Sequence, residues 1–173
     1  MNNVAQWFNR KFEFTFPAEL FPNLCARLRG TPARLEEVLQ GCERSLLIRK
    51  PSAKNAWSIQ EQAGHLLDLE PLWFARVEDF VSGGDQLTAA DLRNQKTDDA
   101  NHNVRDIKDI LAEFRAARIR LLERVAVLEP AIFSRTMLHP RLKQPMRLVD
   151  HLFFAAEHDD HHLAKIWELK SQP

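Results

Sequence analysis

From Ser58 to Gly83 the sequence reads as one uninterrupted helix, and a helix of that length constrains everything around it. Ser58-Ile59-Gln60-Glu61 is a capping box: Ser58 can accept from the amide of Glu61 while Glu61 reaches back to the amide of Ser58. Beyond the cap, Ile59, Ala63, Leu66, Trp73, Val77 and Phe80 recur at spacings of three, four or seven, until Gly83-Gly84 ends the run. An apolar stripe along so long a helix has to be covered by other helices.

Three further segments supply the cover. One is expected from Pro32 to about Ile48, with Thr31 as N-cap, Pro32 at the first helical position, and Leu35, Val38 and Leu39 on its apolar face. An earlier stretch, about Ala18 to Leu28, leads into it across Gly30. The next runs from about Arg105 to Leu128, with Ile107, Ile110, Leu111, Phe114, Leu121 and Val125 in its stripe. The last runs from about Leu148 to Lys170, with Leu152, Phe153, Ala156, Leu163, Ile166 and Leu169. Strand-like alternation is nearly absent. The expected fold is an all-α four-helix bundle over residues 18–173, preceded by an N-terminal segment, 1–17. Two connections, about Ser82 to Asn103 and Pro130 to Arg147, are longer than a tight up-down bundle needs. Each is expected to cross an end of the bundle or carry part of a site.

Lys plus Arg and Asp plus Glu both total 24, so the formal net charge is zero. That gives no electrostatic reason to expect a nucleic acid or an anionic membrane as partner. The apolar runs are too short to span a bilayer, and the first residues lack the pattern of a secretion signal. Two cysteines, Cys25 and Cys42, are too few for a disulfide framework. The expected setting is a reduced cytoplasm.

Chemistry concentrates near the C-terminus, in Glu157-His158-Asp159-Asp160-His161-His162. His158 and His162, four residues apart on a helix, lie one above the other and make half of a divalent-metal site. His65, two turns into the helix capped by Ser58, is the best third ligand. His161 flanks the same stripe and can replace His162 or serve in proton transfer. His151 is seven residues from His158, too far for the same ion. His102 and His139 fall in the long connections, as solvent-facing or hydrogen-bonding residues. The metalloprotease pattern fails because Asp159 stands where a glutamate base is needed. A His-Asp phosphohydrolase pattern fails because too little chain follows Asp159 for its distant aspartate.

Four stretches taken in order resemble the DinB/YfiT-like superfamily: Trp57-Ser58-Ile59-x-Glu61-x-x-x-His65-Leu66-x-Asp68-x-Glu70, then Leu87 to Leu92 with Asp99 to Asn103, then His139-Pro140-Arg141, then Ala156 to Ala164. The resemblance spans about Leu24 to Leu169. It implies a four-helix bundle, often a homodimer, holding one divalent metal ion, nickel or zinc, on His65, His158 and His162. It implies a small-molecule substrate and, in several members, a low-molecular-weight thiol as cosubstrate for S-transfer; others are hydrolase-like. Glu61 and Asp68, each about one turn from His65, are candidates to orient it or act as base. Arg141 is the candidate for holding an anionic substrate group. The competing expectation is a metal-binding or ligand-binding stress protein without turnover, its metal shell closed by His161, Glu61 or Asp68.

Overall fold

The computed structural model describes residues 4–53 and 56–171. Helices α1 (Phe21–Leu39), α3 (Ile59–Ser82), α5 (Ile107–Ala126) and α7 (Leu148–Lys170) form the bundle; α2 (Arg44–Leu47), α4 (Gln95–Asp99) and α6 (Pro130–Phe133) are single turns in the connections. A short antiparallel hairpin, β1 (Thr136–Leu138) with β2 (Pro145–Arg147), closes one end. No described helix is long and apolar enough to cross a membrane.

Side-chain pairings fix the helix directions. Gln60 reaches the carbonyl of Arg105, Glu70 meets Arg118, and Glu78 meets Arg124, so α3 and α5 run parallel. Arg27 meets Glu157 and Lys170 reaches the carbonyl of Val38, so α1 and α7 are also parallel. Gln62 meets His162 while Trp73 meets His151, so α3 and α7 are antiparallel. The four packed pairs are α1 with α7, α7 with α3, α3 with α5 and α5 with α1. The bundle is therefore up-down-down-up, with α1 diagonal to α3 and α5 diagonal to α7.

A parallel α3–α5 pair imposes a requirement. The chain leaves α3 about 36 Å from where α5 must begin, so residues 83–106 have to return along the whole bundle. They do so in irregular backbone with two short turns, α4 and a 3-10 turn at His102–Val104, entered through Asn94 and Asn101 in the left-handed region (φ 55° and 49°). Asparagine tolerates that conformation better than other non-glycine residues.

The core has two apolar parts separated by a polar layer. Leu28, Trp73, Val77, Leu121 and Leu152 belong to one part; Leu35, Ile59, Leu66, Phe114 and Leu163 belong to the other. Between them Arg118, 1% exposed, joins all four helices. It donates to Glu70 on α3 (2.5 Å), to Asp159 on α7 (2.5 Å) and to the carbonyl of Leu28 on α1 (3.1 Å). Thr31 donates to Asp159 as well (2.7 Å).

This layer corrects the expected start of the first helix. Thr31 is not an N-cap and Pro32 is not a first helical residue; both lie inside α1, which continues through Gly30 and ends at Leu39 instead of Ile48. A proline inside a helix leaves the carbonyl four residues earlier without its amide partner. Here that carbonyl is Leu28's, and the Arg118 guanidinium takes it. The tertiary contact removes the local penalty that the sequence pattern implied.

Candidate metal centre and cavity

The capping box forms as expected: Ser58 Oγ accepts from the amide of Glu61 at 3.2 Å and Glu61 accepts from that of Ser58 at 2.8 Å. With the start of α3 fixed, Gln62 and His65 face α7. The antiparallel α7 presents His158 and His162 one turn apart. Ring centroids are 4.4 Å apart for His158–His162, 4.7 Å for His65–His162 and 5.2 Å for His65–His158. One ring nitrogen of each lies within 4.8 Å of the others, and among the described residues no other His, Cys, Asp or Glu joins this group.

Hydrogen bonds decide which nitrogens face inward. His162 Nδ1 is 2.6 Å from the side-chain oxygen of Gln62, so it carries the proton and Nε2 keeps its lone pair. His65 Nδ1 lies 2.9 Å from Thr97 Oγ1, which turns its Nε2 inward likewise. The Nε2 atoms of His158 and His162 are 3.1 Å apart. Three tetrahedral ligands at an ordinary Zn–N length stand about 3.4 Å apart, so small ring movements bring this set onto an ion. Trp57 packs on His65 (4.6 Å), and Trp7 and Trp73 pack on His158 (5.0 and 5.5 Å). Burial in this aromatic wall lowers the His65 pKa to about 4 and those of His158 and His162 well below the ordinary value. All three are neutral at physiological pH, the form that ligates metal.

Asp68 does not touch His65. Burial pushes its carboxyl up, but hydrogen bonds from His102 and Thr97 outweigh this and hold it below the usual range. The Asp68 charge partly offsets the effect of burial on His65, both residues share the Thr97 hydroxyl, and Asp68 is itself fixed by His102 Nε2 at 2.8 Å. His102 is fully buried, not solvent-facing. It packs against Gly64, where a Cβ would stand 2.3 Å from the imidazole ring, so the residue before His65 must lack a side chain. Glu61 is held by the cap and by Lys50 (2.6 Å) and does not line the cavity, so it is set aside as a base.

The three histidines open onto a cavity of about 510 Å³. His161 lies on its wall beside Trp7 (5.7 Å), outside the three-histidine group, and burial, Lys165 and Arg10 bring its pKa to about 4. Arg141 lines the same cavity. So do Trp7 and Phe8, which belong to the N-terminal segment, 1–17, that precedes the expected bundle. That segment is tied down by an Arg10–Glu157 ion pair and by aromatic packing of Trp7 and Phe12 on Phe154. Five aromatics in residues 7–16 were the available signal. Thr97, Gln62 and Arg76 carried none, since their roles depend on how the return segment and α7 pack.

These buried imidazoles give a prediction for the metal-free chain. His65 and His161 titrate near 4, and burial brings His139 and His151 to about 3. Unfolded histidines titrate near 6.5. Between those values the unfolded chain binds more protons, so stability is full above about pH 6.5 and falls as pH drops toward 4. Glu70, raised by burial to about 6 against the pull of Arg118, works in the opposite sense but is one group against several. Urea unfolding should show a loss of more than about 1.4 kcal/mol between pH 7.5 and pH 5. Equal stability at the two values would contradict the neutral, desolvated state.

Comparison with known proteins bears on the fold and the family. The model of the DinB superfamily matches residues 27–166. A search of curated proteins returns no match. Among solved structures, YfiT from Bacillus subtilis, described as a probable metal-dependent hydrolase with an unusual four-helix bundle topology, superposes with a TM-score of 0.79 at 21% identity, over 93% of this chain and 91% of that one. A mycothiol-dependent maleylpyruvate isomerase superposes with a TM-score of 0.66 at 11% identity, over 86% of this chain and 60% of that one. At these identities the two structures establish the shared fold. The family match spans the helices that carry all three histidines, and on that extent the chain belongs to the DinB superfamily.

Proposed function

We propose that the protein is a metal-dependent enzyme in which His65, His158 and His162 hold one divalent ion, nickel or zinc, beside a cavity where water or a low-molecular-weight thiol attacks an electrophilic small molecule. The observation that carries this reading is the placement of three buried, neutral imidazoles, with no fourth candidate ligand among the described residues, on the wall of a cavity of about 510 Å³. A structural site would be closed; an open one leaves a coordination position for reactants. Bound there, a divalent ion supplies Lewis acidity that makes water or a thiol a nucleophile near neutral pH.

The chain's own residues do the rest. Gln62 and Thr97 fix the tautomers of His162 and His65. His158 Nδ1 is buried without a partner, so no hydrogen bond on that side fixes its tautomer, and Trp7 and Trp73 pack on its ring. His161, on the wall and neutral, is placed to accept a proton from the nucleophile. The same reading takes the protein as a homodimer in the cytoplasm.

The test uses protein purified without an affinity tag. Metal content is measured, then the loaded and chelated chains are compared for ester and amide hydrolysis and for addition of cysteine to a soluble electrophile. Metal-dependent turnover that needs the thiol assigns S-transfer; turnover without it assigns hydrolysis. Bound metal with no turnover in either assay returns the protein to the non-catalytic, ligand-binding reading. Failure to take up nickel or zinc at all removes the proposal.

A further inference from the structure

At the end of the cavity formed by the hairpin loop and α3, His139 and the half-buried Arg141 each carry a buried nitrogen with no hydrogen-bond partner, and the buried Arg76 lies beside them. His139 is 1% exposed, and its Nδ1 accepts from the backbone amides of Arg141 (3.2 Å) and Leu142 (3.1 Å). A neutral imidazole has one proton, so here it sits on Nε2. That Nε2 is buried and unpartnered. Arg141 has a buried Nη2 with no partner, and its guanidinium lies over the rings of Phe8 (5.4 Å) and Phe154 (5.6 Å) with no carboxylate beside it. Arg76, 1% exposed, donates through Nε to the carbonyl of Thr88 at 2.9 Å and has no ion-pair partner among the described residues.

The three groups are neighbours. Burial first, and then the charges of Arg76 and Arg141, keep His139 neutral; burial lowers Arg76 to about 10, with Arg141 pushing in the same direction. Nearby carboxylates are engaged elsewhere: Asp79 accepts from the amide and hydroxyl of Thr88, and Asp91 from the amides of Arg93 and Gln95. The Asp79 charge acts on Arg76, but neither guanidinium has an ion-pair partner among the described residues, and the unpartnered buried nitrogens of His139 and Arg141 are costly to hold unless an anion completes them.

We propose that Arg76, His139 and Arg141 receive a carboxylate of the molecule that enters the cavity, so that the substrate is a small carboxylic acid with an apolar body. Guanidinium forks match the planar carboxylate, and Trp7, Leu72 and Trp73 offer the apolar wall. As a statement about substrate this rests on the metal-dependent reading above. As a binding site it is measurable without metal or turnover, so the two can fail separately.

The experiment is calorimetric titration of the full chain, as purified and after chelation, with benzoate and its neutral isostere benzamide. Benzoate should bind at least about tenfold more tightly in both states, the worth of one charge-assisted hydrogen bond. Arg141→Gln, at a partly exposed position, should bring the two ligands within about threefold while the thermal melt stays unchanged. Arg76→Gln should do the same, and Arg141 covers the case in which the more buried Arg76 variant does not fold. Equal affinities in the parent, no benzoate binding at all, or an undiminished preference in Arg141→Gln would overturn the assignment. A preference seen only with metal bound would place the carboxylate on the ion and overturn it too. Inorganic phosphate displacing benzoate with higher affinity would reject the carboxylate class.

Discussion

Arg118→Ala is expected to cost about 3–5 kcal/mol, enough to leave a domain of this size largely unfolded at physiological temperature. The guanidinium, carried on α5, touches α1, α3 and α7 as well. Removing it strands the carboxylates of Glu70 and Asp159, which are 3% and 0% exposed, and leaves the Leu28 carbonyl without a donor inside a proline-containing helix. The loss comes from uncompensated burial more than from the attraction of the original pairs. Replacing Arg118, Glu70 and Asp159 together by Met, Leu and Leu should therefore recover much of it. Equilibrium urea unfolding of the single and triple variants checks both halves. A loss below about 1 kcal/mol in Arg118→Ala would mean that water reaches the layer and the burial is not as drawn.

The second large effect concerns metal affinity. His158→Ala removes one of the three proposed ligands and should lower affinity by more than the about 10–100-fold expected of a residue that only orients a ligand. His65→Ala and His162→Ala should match it. His161→Ala should keep the metal, because its ring lies outside the three-histidine group. Gln62→Leu should fall between, since His162 loses the acceptor that fixes its tautomer but not its ring nitrogen. Elemental analysis after dialysis against a graded chelator series orders the variants. If His161→Ala loses metal as fully as His162→Ala, the ligand set drawn from the geometry is wrong.

Much of this was legible in the residues because the signals are local. The Ser58 cap and the stripe from Ile59 to Phe80 specify α3 to within a residue, and four-residue spacing places His158 against His162 before any neighbour is known. The hidden features depend on tertiary partners. Pro32 looks like a helix start until the Arg118 contact is seen. Asp68 looks like a direct partner for His65 because they are three apart, yet the return segment inserts Thr97 between them. No helical period runs through residues 1–17, so nothing local shows that Trp7, Arg10 and Phe12 pack on the bundle through rings and an ion pair.

The return segment has a consequence for diversification. The helices supply every proposed ligand, while residues 83–106 supply part of the cavity wall and the Thr97 and His102 contacts behind it. The proposed ligands and this part of the cavity wall thereby lie in different stretches of chain. Between Leu87 and Gln95, ahead of the turn that carries Thr97, insertions and substitutions can reshape what enters without disturbing the three imidazoles. A lineage built on this topology can keep the three-histidine group while this stretch of cavity wall drifts.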